Sequence, residues 1–219
     1  MTTTEFSDEF DILYNNISSN QAPGLTEYEK SVFLTSAQDA LVLELVTGKN
    51  AIGESFEKTE ELRQYLTDII KTAEPIQNTK SNRKPISKNS TFYTSPEDLW
   101  FVVYENVKFE DGDSAVDIEV IPVTHDEYSR ISKNPFRRAS KNRVLRLNIG
   151  GDIELVSDRE IKNYSIRYIE QLSPIIIEDL DYGTVKGVRE QTECKLNPAL
   201  HEAILARAVQ IVKVSMGAS

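Results

Sequence analysis

The chain of 219 residues is 39% hydrophobic and 27% charged, enough apolar material for one compact unit or two small ones, yet its longest apolar runs (99–104 and 174–177) fall far short of the ~20 residues of a membrane span. Residues 1–10 are acidic and hydroxyl-rich, so no secretory leader or transit peptide is readable, and a formal net charge of −10 argues against a dedicated nucleic-acid binder, which needs a basic face to displace phosphate counterions. Cys194 is the single cysteine and cannot close an internal disulfide, and with His125 and His201 the chain is too poor in ligands for a zinc site; no metal, cofactor or membrane partner is expected.

In chain order, Phe6, Phe10, Leu13, Tyr14 and Ile17 mark one face of a short helix that ends near residues 18–20. A turn at Ala22-Pro23-Gly24-Leu25 precedes Thr26 and Glu29, whose spacing is that of a capping box. The longest helix follows, with Tyr28, Val32, Phe33, Ala37, Ala40, Leu41 and Leu45 on its predicted face and Gly48 as its stop. A third helix is predicted over 57–70 from Leu62, Tyr65, Leu66, Ile69 and Ile70, with Pro75 at its exit. Residues 77–90, poor in apolar side chains and rich in Asn, Ser and Lys, read as a linker or exposed loop.

The period then changes. Residues 99–109 are aromatic and β-branched, Asp111-Gly112-Asp113 reads as a hairpin turn, and Val116, Ile118 and Val120 alternate with acids, which predicts two antiparallel strands. Residues 144–147, Gly150-Gly151 and residues 153–156 predict a second hairpin, and Tyr164, Ile166 and Tyr168 another strand. At the end Asn197 suits an N-cap and Pro198 the first helical position, ahead of a stripe of Leu200, Ile204, Ala208, Ile211 and Val212. The order predicts an α+β fold: a helical bundle formed by the N- and C-terminal segments (1–90 and 195–219) with an inserted antiparallel β-rich domain (91–194).

Chemistry-bearing motifs are missing: no Gly-rich phosphate loop, nucleophile elbow, paired-Cys motif or metal-spaced histidines. Glu60–Glu61 and Glu178–Asp179 are adjacent carboxylates of the kind that form a solvated face. His201 reads as a surface or packing residue, Cys194 as a small apolar one, and Trp100 as sheet core. The informative feature is a run without any acid, Lys133, Arg137, Arg138, Lys141, Arg143 and Arg146. It is either a solvated loop or a loop that meets acidic surface on a neighbouring subunit. The polar segments 77–90 and 179–193 are of the kind that orders when a partner supplies a surface.

Several stretches carry a resemblance: Phe10-Asp11-Ile12-Leu13-Tyr14-Asn15-Asn16, Ala22-Pro23-Gly24-Leu25, Tyr28-Glu29-Lys30-Ser31, Val123-Thr124-His125-Asp126-Glu127-Tyr128, Lys133-Asn134-Pro135-Phe136-Arg137 and Cys194-Lys195-Leu196-Asn197-Pro198. In this order, and over nearly the whole chain, they resemble the head-to-tail adaptor proteins of crAss-like and related phages of Bacteroides. The architecture is also similar to that of the tail tubular protein A and P22-type adaptor group. The resemblance implies a non-catalytic structural protein of the virion, assembled in host cytoplasm. It would form a homo-oligomeric ring, dodecameric to match the portal protein, with genomic DNA as passing cargo. The helical part would dock on the portal or another ring, and the β-rich part would meet the next tail component. On this reading Lys133, Asn134, Pro135, Phe136, Arg137, Arg138 and Arg143 are candidate inter-subunit or partner contacts, with Asp111, Asp113, Asp117 and Glu119 as candidate acidic counterparts. A generic α+β interaction module and an unrecognised enzyme are the alternatives.

Overall fold

The computed structural model describes residues 1–17, 24–49, 57–109 and 117–215, which divide into two compact units, residues 1–69 with 172–219 and residues 70–171. The fold is α+β, with helices from both chain ends in the first unit and a mostly antiparallel sheet in the second. The predicted helix end at 18–20, the Ala22-Pro23 part of the first turn, the Asp111-Gly112-Asp113 turn and Val116 lie outside the described residues.

In the helical unit, α1 (Thr3–Ile17) buries Phe6, Phe10 and Tyr14 on the predicted stripe, each ring contributing ~1.5–3 kcal/mol or more by leaving water. Helix α2 (Glu27–Thr47) starts at the Thr26/Glu29 capping box and stops at left-handed Gly48, φ 74°. Its buried face keeps only Ala37 and Leu45 of the predicted one: Lys30, Ser31, Leu34, Thr35, Gln38 and Val42 also point inward. Polar side chains are there because residues 173–177 run past the helix as irregular backbone, whose buried amides need partners. Thr35 Oγ1 accepts from Ile175 N–H at 3.1 Å and donates to its carbonyl at 3.3 Å, Ser31 Oγ accepts from Ile177 N–H at 3.1 Å, and Gln38 donates to the Ser173 carbonyl at 3.0 Å. Tyr28 and Val32 pack instead on Ile176, Leu180 and Val185, which gives the 179–193 stretch apolar anchors of its own.

Buried Lys30 ties α2 to α1 by its ion pair to Asp11 at 2.7 Å and also pairs with Glu27 of its own helix at 2.8 Å. Helix α5 (His201–Ser215) follows a 3-10 turn capped by Asn197 with Pro198 behind it, and buries Ile204, Leu205, Ala208, Val209 and Val212. The third helix is shorter than predicted. Helix α3 (Glu60–Leu66) gives way to a 3-10 turn at Thr67–Ile69 and then to strand β1 (Ile70–Ala73), because the segment with β-branched Ile70 and Thr72 pairs with a strand.

The second unit comprises β1, β2 (Ser90–Thr94), β3 (Leu99–Phe109), β4 (Ile118–Pro122), α4 (His125–Ile131), β5 (Val144–Ile149), β6 (Asp152–Val156) and β7 (Ile161–Glu170). The sheet order is β1-β7-β3-β4-β5-β6-β2. The chain leaving β1 also reaches the opposite edge, where Asn78 N–H donates to the Phe92 carbonyl at 2.8 Å and Thr94 N–H to that of Ile76 at 2.9 Å. One segment thus forms one edge strand and bonds the other, and the sheet curls around Tyr93, Val107, Val120, Val144, Ile153, Leu155, Tyr164, Ile166 and Tyr168. The β5–β6 hairpin turns on Gly150 and Gly151, both at positive φ (38° and 89°), which side-chain-bearing residues rarely adopt. A single pairing departs from the antiparallel expectation among the described strands: β4 and β5 are parallel.

Candidate subunit-contact surface

Parallel strands cannot be joined by a tight turn, so the chain must cross over between them. Residues 123–143 are that crossover, and they hold all the candidate contact residues. Ile131 of α4 and Ala139 lie on Leu145, Leu147 and Val156, with Val123 and Tyr128 packed alongside. Along β5 these contacts alternate with the inward side chains, so the crossover covers the outer face of the sheet. Its apolar residues being spent on that face, Lys133, Arg137, Arg138 and Lys141 point to solvent.

Asn134 fixes the turn between them. Its Oδ1 accepts from Phe136 N–H at 2.9 Å, and its carbonyl accepts from Arg137 and Arg138 N–H at 3.1 and 2.9 Å. Half-buried Arg143 reaches back and donates from its guanidinium to the Phe136 carbonyl. Pro135 and Phe136 form the tip, and the Phe136 side chain is 87% exposed. Asn134 and Arg143 therefore hold the loop, while Lys133, Pro135, Phe136, Arg137 and Arg138 are presented by it. Among the described residues no acid pairs with Lys133, Arg137 or Arg138.

Arg146, read in sequence with this run, turns inward beside Val144. Its Nε lies 2.9 Å from Glu105 Oε2 but off the N–H direction, so that contact is Coulombic, and its Nη1 donates to Asn148 Oδ1 at 2.6 Å. Glu105 also accepts from the Tyr164 hydroxyl. Burial pushes the Glu105 carboxyl above its ordinary value against the pull of Arg146, and burial, then Glu105, pushes the Tyr164 phenol far up. Arg146 is thus half of an interior ion pair.

A second cationic loop escaped the sequence reading: Lys80, Arg83, Lys84 and Lys88 are exposed on residues 77–90. Arg83 clamps that loop to β6 through Asp152 at 2.7 Å and the Gly150 carbonyl at 2.5 Å, and holds the Asp152 carboxyl below the usual range. The signal was available, since no acid occurs between Glu74 and Glu97. Of the candidate acids, Asp117 lies 3.8 Å from Lys108 and Glu119 is exposed on β4, neither paired with a crossover cation; Asp111 and Asp113 lie outside the described residues. Charge is also partitioned between the units: residues 70–171 hold sixteen basic and sixteen acidic side chains, and the helical unit nine against nineteen, the whole net charge.

The helical unit carries an apolar groove between α1 and α5, lined by Glu9, Ile12, Leu13, Glu202, Leu205 and Ala206. Ile12, 58% exposed, falls off the α1 stripe, and that is its sequence signal. Of the candidate carboxylates, Glu60, Glu61 and Asp179 have local partners. Glu60 pairs with Arg63 at 2.8 Å, Glu61 accepts from Tyr65 at 2.8 Å, and Asp179 accepts from Gln191 N–H at 2.7 Å. His201 is buried against the Phe6 ring, its pKa pushed down by burial, and Cys194 is half-buried with its thiol pKa raised. Trp100 is half-buried beside Phe101 and outside the core, because the β3 register slips between Leu99 and Phe101. Among the described residues no helix is long and apolar enough to cross a membrane and no His/Cys/Asp/Glu group could hold a metal.

Residues 1–219 match the family model described as phage tail ring protein 3/4. Ring protein 3 of Bacteroides phage crAss001 is 44% identical over 223 residues, covering 98% of this chain and 96% of the relative. Ring protein 4/5 of the same phage is 35% identical over 226 residues, covering 98% and 93%. The match runs from end to end, and the chain belongs to the phage tail ring protein 3/4 family of crAss-like phages.

Proposed function

We propose that the protein is one subunit of a closed homo-oligomeric ring, dodecameric to match the portal, in the head-to-tail connector of a tailed phage. The helical unit docks on the portal or an adjacent ring, and the β-rich unit offers surface to the next tail component, as the likeness to adaptor and tail tubular A proteins implies. The role is mechanical and needs no bond chemistry or cofactor. The ring lines part of the channel through which the genome leaves, and the acid excess of the helical unit, placed at the lumen, repels phosphate so that DNA slides as cargo. The supporting observation is the match of the whole chain to a tail ring family. A closed ring uses heterologous contacts, one patch meeting a different patch on the next copy. Lys133, Asn134, Pro135, Phe136, Arg137, Arg138 and Arg143 supply one of those patches.

Negative-stain imaging of the purified protein, alone and mixed with portal protein from the same phage, tests this. Annular particles of fixed symmetry, or decorated portals, are expected. A persistent monomer that ignores the portal refutes the connector role and leaves a non-enzymatic interaction module.

A further inference from the structure

The tip of the crossover and the groove of the helical unit are each incomplete. Single exposed apolar residues are ordinary, but Phe136 is held out by a turn bonded at three backbone amides and flanked by Lys133, Arg137 and Arg138. Exposed there, the ring contributes nothing to the fold of its own chain. The α1/α5 groove has the opposite character. Its floor is Leu13, Leu205 and Ala206 with Ile12 at the side, and its rim carries Glu9 and Glu202, both exposed and without an ion-pair partner among the described residues. An aromatic anchor flanked by cations and an apolar slot rimmed by carboxylates match in polarity and sign.

We infer that Phe136 of one copy seats in the α1/α5 groove of the next copy, with Lys133 and Arg137 meeting Glu9 and Glu202. This rests on the ring reading and supplies its subunit contact. Each copy carries one knob and one slot on different residues, so the contact is heterologous and repeats around a ring. Two crossovers meeting each other would set Arg137 and Arg138 against their own kind. The acids of β4 fit less well: Asp117 faces Lys108, and Ile118 and Val120 belong to the interior, leaving no slot for a phenyl ring.

The test uses the full chain with Phe136→p-benzoylphenylalanine, which keeps an aromatic anchor, mixed with an isotopically heavy copy, irradiated and mapped by mass spectrometry beside imaging of the wild-type protein. Adducts between position 136 of the light copy and residues 9–13 or 202–206 of the heavy copy are expected. Arg137→Glu and Glu202→Lys should each reduce their yield on the order of tenfold, and one copy carrying both should recover it, which a merely damaged loop would not do. Adducts elsewhere, adducts confined to the light chain with none to the heavy copy, or adducts insensitive to both charge changes overturn the inference. Wild-type rings without the mapped adduct remove this contact and leave the ring reading standing. The adduct without rings upholds the contact and removes closure.

Discussion

Thr35→Val isolates the device that fastens residues 173–177 to α2. Valine keeps the shape and β-branching of threonine, so neither packing volume nor helix propensity changes much. What disappears is a hydroxyl that both accepts from Ile175 N–H and donates to its carbonyl, at a residue whose side chain is wholly buried. Each group left unsatisfied costs ~1–3 kcal/mol. Allowing for partial relaxation, the loss is roughly 2–4 kcal/mol, which lowers Tm by roughly 4–16 °C in a chain of this size. The control is Ser36→Ala, whose exposed hydroxyl bonds only to Val32 of its own helix at 2.9 Å, with a cost within about 0.5 kcal/mol. Urea unfolding followed by circular dichroism measures the difference, and native-state amide exchange localises it. Exchange should accelerate at Ile175 and little in the β-rich unit. Equal protection at Ile175 together with unfolding within about 0.5 kcal/mol of the parent would show that α2 does not anchor this segment.

Two further outcomes concern buried titratable groups. Glu105→Leu leaves Arg146 as an uncompensated interior charge and should cost ~3–5 kcal/mol, whereas Glu105→Leu with Arg146→Met should recover most of it; denaturant melts of the single and double variants decide, and equal costs refute the pairing. The raised Glu105 carboxyl also gives a sign: between the ordinary glutamate value and the raised one the native state holds a proton the unfolded chain has released, so stability falls as pH rises through that window, and Glu105→Gln should remove that component of the slope. For Cys194, burial raises the thiol pKa, so a thiol-disulfide probe at neutral pH should react far more slowly than with the urea-unfolded chain; equal rates would contradict the packed position.

The sequence was most legible where a local rule decides the outcome. The capping box at Thr26, left-handed Gly48, the Gly150-Gly151 hairpin and the Asn197-Pro198 start depend on a few neighbouring residues, and each was found where expected. It was least legible where a distant segment decides. The face of α2 was read only in part, at Ala37 and Leu45, because Ser31, Thr35 and Gln38 are polar, and only the backbone of 173–177 explains why polar residues belong inside. The predicted third helix lost its end because Ile70 has a β partner in Ile169, far along the chain.

The same division separates the two halves of the proposed contact. The cationic loop is contiguous in sequence, so a run without acids exposed it, although that run could not reveal that Arg146 turns inward to Glu105 while Arg143 holds the Phe136 turn. The groove is made by residues from opposite ends of the chain, and none of them is unusual alone. Its one local sign is Ile12, apolar but off the stripe of α1. A ring subunit needs both kinds of surface, because a heterologous contact pairs two different patches of one sequence. An insertion between the first and last helices leaves the groove to be built from the chain ends and the knob to be built by the crossover. Net charge follows the same split: the unit that carries the slot holds the whole acid excess, and the unit that carries the knob is neutral overall with ten of its sixteen cations on the crossover and the 77–90 loop. Because each copy carries −10, slot against slot is the most repulsive approach and slot against knob is less so, which biases the orientation of the encounter before any contact forms.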